Sequence, residues 1–308
     1  MRFVISGASG LVGRALADSL RDDGHEVIRL VRSAPGQSGS AGESSGEVRW
    51  DPEHGELDPD QLDGCQIFVN LSGAGIGDRR WSAARRDEIV RSRMQPTALL
   101  AGAAARLAPR DGVLVSASAV GWYGDRGDEE LTEQSAPGTG FLAALCRQWE
   151  AATAPAEQAG VRVVHLRSGV VIANEGGALR KQLPLFRLGL GGRLGNGRQW
   201  VSWIAIADEV GAIRHAASSA SLQGPVNAVA PAPVTNAQLT RELAAAVHRP
   251  AFFNVPSPVL RVALGSGLAT ELLLASQRVL PARLLATGYE FATPDLKTAL
   301  AISTARAT

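Results

Sequence analysis

The chain has 308 residues, 45% hydrophobic and 20% charged, enough for about two domains of roughly 150 residues each and typical in composition of an ordinary globular protein. Its 31 basic and 30 acidic side chains leave a formal charge of +1, so nothing in the charge balance points to nucleic acid or an anionic membrane. No stretch approaches ~18 uninterrupted apolar residues, and the opening MRFVISGASG enters an apolar segment without a basic leader, so the expected location is cytoplasmic.

The first predicted strand, 3–6, runs into Gly7-Ala8-Ser9-Gly10-Leu11-Val12-Gly13, and a helix is predicted over 13–22. This is a phosphate cradle in sequence form. Gly7 permits the tight turn, Gly10 lets backbone approach a pyrophosphate, and Gly13 lets helix pack close to strand, while the helix dipole favours an anion. Gly7, Ser9, Gly10, Leu11 and Val12 are the expected contacts. A triphosphate-cleaving site is excluded, because the only lysines are Lys181 and Lys297 and neither follows a Gly-x-x-x-x-Gly pattern.

The second strand, 26–31, ends in Val31-Arg32 where a protein gripping the ribose of NAD would place an acid. Arg32 would instead pair with a 2′-phosphate, or is simply a solvated strand-end cation; chiefly because the acid is missing, NADP is the expected cofactor. Segment 33–46 is so rich in Gly and Ser that it reads as a surface loop. The third strand, 47–50, closes on Asp51, either an acceptor for adenine or a turn residue. The fourth, 67–71, closes on Leu71-Ser72-Gly73, small enough for backbone to approach the adenosine or to form an ordinary turn.

A long helix over 83–107, with Pro96 as a candidate break, leads to a fifth strand at 112–116, then a helix over 140–158 and a sixth strand at 162–166. Apolar runs alternating with amphipathic ones in this way specify βαβ units and a parallel sheet. The expected fold is therefore α/β, a doubly wound Rossmann sheet over 1–170 with a returning strand from 200–230. After Val170 glycine, proline and arginine crowd the chain, the texture of a smaller mixed substrate lobe over 171–250. Helices at 236–247 and 268–275, punctuated by Pro256, Pro258 and Pro281, place a helical region over 251–308. Cys65 and Cys146 lie outside any metal-binding spacing and read as buried small hydrophobes.

The segments GASGLVGRAL, VNLSG, SASAVGWYGDRGDEELTE, LRSGVVIANEGGAL, LPLFRLGLGGRLGNGRQWVSWIAIAD and ASQRVLPARLLATGYEFATPDL together resemble the extended short-chain dehydrogenase/reductase superfamily, the NAD(P)-dependent epimerase/dehydratase group. Nearer still is the resemblance to an epimerase-like family with a C-terminal domain of unknown function. The resemblance implies NADP(H), a small-molecule substrate and a serine after the fifth strand. Ser118 fills that role, with Ser116 and Ala117 beside the cofactor. The superfamily's Tyr-x-x-x-Lys pair is absent, since Tyr123 and Tyr289 are followed four residues later by Gly127 and Thr293. Tyr123 is thus either a proton donor polarised by Arg147 or Arg126, or a packed residue with one structural hydrogen bond. Glu150 is either a polar group facing the cofactor or a solvated carboxylate.

In the second lobe Asn174, Arg198, Gln199 and Trp203 are the candidate substrate residues, with Trp200 and Trp203 alternatively core; Arg167 either lines the cleft or anchors the lobes. The family's usual histidine and acid are replaced by Ala205 and Ala207. Two functions fit: an NADP(H)-dependent oxidoreductase or epimerase-like enzyme acting on a small carbonyl, alcohol or nucleotide-sugar-like compound, or an NADPH-sensing module that has lost its chemistry. The sequence leaves the oligomeric state open.

Overall fold

A computed structural model describes residues 1–32, 46–108 and 112–305. The loop expected over 33–46 lies, apart from Gly46, outside these. Eight strands form the central sheet: β1 (Arg2–Ser6), β2 (Glu26–Arg32), β3 (Glu47–Asp51), β4 (Glu56–Leu57), β5 (Ile67–Asn70), β6 (Val113–Ala119), β7 (Arg162–Ser168) and β8 (Gly224–Ala228). Their spatial order is β8-β7-β6-β5-β1-β2-β3-β4. All neighbours are parallel except the short β3–β4 hairpin. The strand order reverses between β1 and β5, which opens a crevice at their carboxyl ends, the ligand position of doubly wound sheets.

Helices α1 (Leu11–Asp22), α2 (Ala83–Leu107), α3 (Phe141–Ala151), α4 (Ala154–Gln158), α5 (Gly177–Arg187), α6 (Ile206–Ser218), α7 (Asn236–Ala246) and α8 (Ser257–Leu264) follow in chain order. Strands buried on both faces need apolar cover on both, and they have it. One core joins Ile5, Val69, Val115 and Leu166 to Leu16 and Leu20 of α1 and Ile213 of α6. The other joins Val4, Phe68 and Leu114 to Leu100 and Ala104 of α2. A third cluster, with Trp203, Leu183, Leu243 and Leu300, holds the smaller lobe together. Among the described residues, no helix is long and apolar enough to cross a membrane.

Five elements differ from expectation. α2 is continuous through Pro96, which is buried, and one turn back Thr97 Oγ1 donates to the Arg93 carbonyl at 2.6 Å. The expected helix over 140–158 is two helices, because Pro155 in the first turn of α4 has no N–H to bond the carbonyl four residues back; Thr153 Oγ1 closes the break onto the Glu150 carbonyl at 2.7 Å. The helix expected over 268–275 is a short turn followed by a π-helical turn at Ala269–Leu273. That wider turn delivers Glu271 to the first turn of α3, where its carboxylate accepts the Leu142 N–H at 2.8 Å. The fifth and sixth strands each run past their expected ends, which brings Ser118 and Arg167 into the sheet as register partners.

Candidate active site

At the end of β1 the chain turns through Gly7 at φ +72°, where an added Cβ would lie 2.5 Å from the Leu71 carbonyl oxygen. The Gly10 N–H closes the turn onto the Gly7 carbonyl at 2.9 Å, and Gly10 then caps α1 without a side chain. A Cβ on Gly13 would lie 2.3 Å from the Gly7 oxygen. Strand, turn and helix are therefore in direct backbone contact, and the first amides of α1 have no intrahelical partner. With Ser9 and Gly10 exposed, this is a cradle shaped for phosphate. The smaller lobe reaches over it. Gly176 lies against the Leu11 side chain, and Lys181 of α5 joins the loop after β5 by bonds to Asp78 at 2.7 Å and the Gly77 carbonyl at 2.8 Å.

Beneath the crevice a buried polar network sets the positions of the strand ends. Ser6 Oγ donates to Asn70 Oδ1 at 2.7 Å, and Asn70 Nδ2 donates to Thr97 Oγ1 at 2.7 Å and to Ser116 Oγ at 3.3 Å. Asn70 Oδ1 also accepts the Ser72 N–H at 3.3 Å, which folds Leu71-Ser72-Gly73 back toward the Gly7 turn. Arg93 of α2 sits under this loop. Its guanidinium carbon lies 3.1 Å from where a Gly73 Cβ would be, it bonds the Ala74 and Ile89 carbonyls, and its charge sits over the Trp149 ring. Burial lowers its pKa to about 10, so it remains a cation at neutral pH.

Ser118 ends up beside a buried charge pair. Its Oγ donates to Glu150 Oε1 at 2.7 Å, and Arg167 grips the same carboxylate through Nε at 2.8 Å and Nη2 at 2.9 Å. The guanidinium also covers the Trp122 ring, 3.8 Å from its centroid, and its Nη1 donates to the Tyr123 hydroxyl at 3.1 Å. Cys146, one turn before Glu150, has its thiol pushed up to about 12, chiefly by burial and then by Glu150. It is a hydrophobe rather than a nucleophile, as expected, and Cys65 is likewise buried.

Of the alternatives the sequence left open, the structure has the packed form of Tyr123 and Trp203 and the turn form of Asp51. Tyr123 is fully buried and donates to Asn227 Oδ1 at 2.7 Å. Burial pushes its pKa up, and its basic partner is Arg167, while Arg147 bonds the Gly138 carbonyl and Arg126 pairs with Glu129. With its hydroxyl bonded to Asn227 and Arg167, the phenol ties three elements together. Trp203 is fully buried in the lobe core with its indole N–H on the Ala232 carbonyl. The amide of Gln199 is committed to the Leu194 and Leu273 carbonyls. Asn174 is exposed and turned toward Ala305. Asp51 holds its own turn, accepting from the Glu53 and His54 amides and the His54 ring. Arg198 is exposed. Arg32 is exposed at the carboxyl end of β2, and Ala117 is half-buried beside Ser118. Glu150 is a buried, fully engaged carboxylate and Arg167 its partner. Arg93 was not anticipated; its signal was an arginine four residues after Ile89 and four before Thr97, on the buried stripe of α2.

Glu209, on α6, is another buried acid at this edge. Ser168 Oγ donates to its Oε1 at 2.5 Å, while Oε2 is buried without a hydrogen-bond partner. Burial pushes its pKa to about 7 from an ordinary 4.5. The folded state thus keeps a proton that the unfolded chain releases. The stabilisation is complete below about pH 4.5 and is lost as pH rises to about 7, an expected fall of about 3 kcal/mol. Glu209→Gln should remove that slope, as denaturant melts at pH 5 and pH 8 will show; parallel pH profiles in both proteins would contradict it.

A parallel Rossmann sheet with a glycine cradle at its crevice defines a nucleotide-binding protein. Residues 3–229 match the NAD dependent epimerase/dehydratase family and residues 255–302 match a domain of unknown function, DUF1731, so the chain belongs to the epimerase/dehydratase family, as its motifs implied. An epimerase family protein of Mycobacterium bovis is 45% identical over 98% of this chain and 97% of its own length. The human epimerase family protein SDR39U1, crystallised with NADPH, is 36% identical with a TM-score of 0.87, covering 98% of this chain and 99% of that one. A nucleoside-diphosphate sugar epimerase from Corynebacterium glutamicum is 40% identical with a TM-score of 0.77, over 98% of this chain and 58% of that one.

Proposed function

We propose that the protein is an NADP(H)-dependent oxidoreductase or epimerase-like enzyme acting on a small carbonyl, alcohol or nucleotide-sugar-like compound. The observation that carries this reading is the Ser118 hydroxyl, held at 2.7 Å on a buried carboxylate at the same sheet edge as the glycine cradle. The cradle fits the cofactor, since side chains at Gly7 and Gly13 would collide with the backbone that shapes it, and SDR39U1 binds NADPH on the same fold.

The amides of Leu11 and Val12 would hold the pyrophosphate, with Leu71, Ser72 and Gly73 along the adenosine side and Arg93 as a nearby cation. Arg32 would face the 2′-phosphate. When bound, the nicotinamide supplies or takes the hydride. Ser118 would hydrogen-bond the substrate oxygen as charge develops on it, and Glu150 would take the serine's proton when the substrate is an alcohol. Tyr123 has no part in this beyond anchoring Arg167.

Calorimetry should show NADPH bound more tightly than NADH. Labelled NADPH should pass deuterium stereospecifically to a product from a panel of carbonyls and nucleotide sugars. Ser118→Ala should lower kcat on the order of 10²-fold, the usual scale for such a group, with cofactor affinity unchanged. The second reading, an NADPH-sensing module, is favoured by the sealed Tyr123 and the missing lysine. It predicts that Ser118→Ala leaves the cellular phenotype intact while Gly10→Val, which blocks the cradle, abolishes it.

A further inference from the structure

We propose that Ser118 is connected to solvent on the side of the domain away from the cleft by a proton relay through Glu150, His165 and Thr153 to Glu157. This deepens the oxidoreductase reading and rests on it. In the sheet register Ser118 stands opposite Arg167 and Ser116 opposite His165. Arg167 and His165, two residues apart on β7, therefore present their side chains on the same face, toward α3. Ser118 Oγ donates to Glu150 Oε1 at 2.7 Å, and Glu150 Oε2 lies 3.8 Å from His165 Nδ1. The other ring nitrogen, Nε2, is 2.9 Å from Thr153 Oγ1 and 3.5 Å from Glu157 Oε1. Thr153 Oγ1 reaches the same Glu157 oxygen at 3.2 Å. Glu157 is half-exposed while His165 and Glu150 are buried, so the series runs from the floor of the cleft to the surface.

Packing alone does not account for His165. Arg167 already satisfies Glu150 with two hydrogen bonds, and an apolar residue on β7 would cover α3 without the cost of burying an imidazole. Burial holds the His165 pKa below its ordinary value, so the ring is neutral near pH 7 and one nitrogen is able to accept while the other donates. The break between α3 and α4 brings the Thr153 hydroxyl within reach of both His165 and Glu157, and its one proton is shared between Glu157 and the Glu150 carbonyl at 2.7 Å. The 3.8 Å step exceeds a hydrogen bond by about 1 Å, a gap that a small side-chain shift or one water closes.

In the oxidation direction the substrate O–H proton moves to Ser118 Oγ as the serine's own proton moves to Glu150 Oε1, and the substrate carbon gives its hydride to the oxidised nicotinamide. The protonated Glu150 carboxyl then turns so that the proton faces His165 Nδ1 and passes to it, the Nε2 proton passes to Thr153, and the Thr153 proton swings from the Glu150 carbonyl to Glu157 and on to water. One proton leaves and every relay group returns to its starting charge; His165 ends as its Nδ1–H tautomer, the starting form for reduction, which runs the same transfers backwards, and a flip of the ring restores the Nε2–H form for a further oxidation.

The test uses the full chain loaded with NADP, with nitrogen-15 NMR of the imidazoles and His165 assigned from a His165→Gln variant. Ser118→Ala and Glu150→Gln should each shift the His165 Nδ1 resonance, and Thr153→Val should shift Nε2. A histidine that merely fills space would not respond to Ser118→Ala, so an Nδ1 signal unchanged in both variants overturns the relay. With any carbonyl turned over, His165→Phe should lower kcat on the order of tenfold, less than for a residue touching the reacting atoms, at unchanged KM and NADPH affinity. An unchanged kcat in a normally melting His165→Phe also overturns it. NADPH affinity measured on the same samples separates the two ideas: wild-type protein that binds no NADPH sinks the oxidoreductase reading, while intact binding with an uncoupled imidazole sinks the relay alone.

Discussion

Gly13→Ala is expected to lower NADPH affinity by at least about 100-fold. The new Cβ would meet the Gly7 carbonyl oxygen at 2.3 Å and the Ala8 Cα at 2.8 Å, and both are backbone, so neither can rotate away. Relief requires the turn to move off the amino end of α1, which misaims the amides on the pyrophosphate. Each charge-assisted hydrogen bond is worth about 1.5–3 kcal/mol, and losing two gives a change of that size or more. Forcing a methyl into this contact should also cost about 1–3 kcal/mol of stability. Gly102 of α2 supplies the control, because a Cβ there meets nothing within 4 Å. Gly102→Ala should stabilise by about 0.5–1 kcal/mol and leave calorimetric NADPH binding untouched. Equal affinity in Gly13→Ala and wild type would remove the cradle from the binding site.

The contrast between these two glycines shows what was legible in the sequence. Gly7, Gly10 and Gly13 were readable because a strand, a turn and a helix must share three fixed positions, and local spacing encodes all of them. The parallel sheet was readable for the same reason, short apolar runs alternating with amphipathic helical stretches. Ser118 was placed by its motif, but its partner was not: Glu150 and Arg167 meet only because β6 and β7 each run past the apolar stretch that marks them, and α3 then lays its carboxylate across the register pair. Tyr123 looked like chemistry because tyrosine is scarce here, yet the turn that carries it faces Asn227 of β8, a residue 104 positions away. α5 was obscured by Pro184 in its last turn and by the glycines around it. Contacts that depend on which face of a distant strand is presented leave no local trace in the chain.

Arg167→Met should be the most damaging single change to stability outside the hydrophobic cores, at about 3–5 kcal/mol. The pair it breaks is buried on both sides, with side-chain exposures of 3% for Arg167 and 8% for Glu150. Removing the guanidinium leaves the carboxylate with the Ser118 hydroxyl and a ring nitrogen at 3.8 Å, which is the costly case of an uncompensated buried charge. It also strips the Trp122 face of its cation and the Tyr123 hydroxyl of its donor. The damage should be repairable from the other side: adding Glu150→Gln to Arg167→Met discards the stranded charge and should recover much of the loss, giving a coupling of 2 kcal/mol or so in a double-mutant cycle. Urea melts of the four proteins measure it. Additive losses would mean that the two side chains do not share a charge in solution, and would take away the base that Ser118 needs.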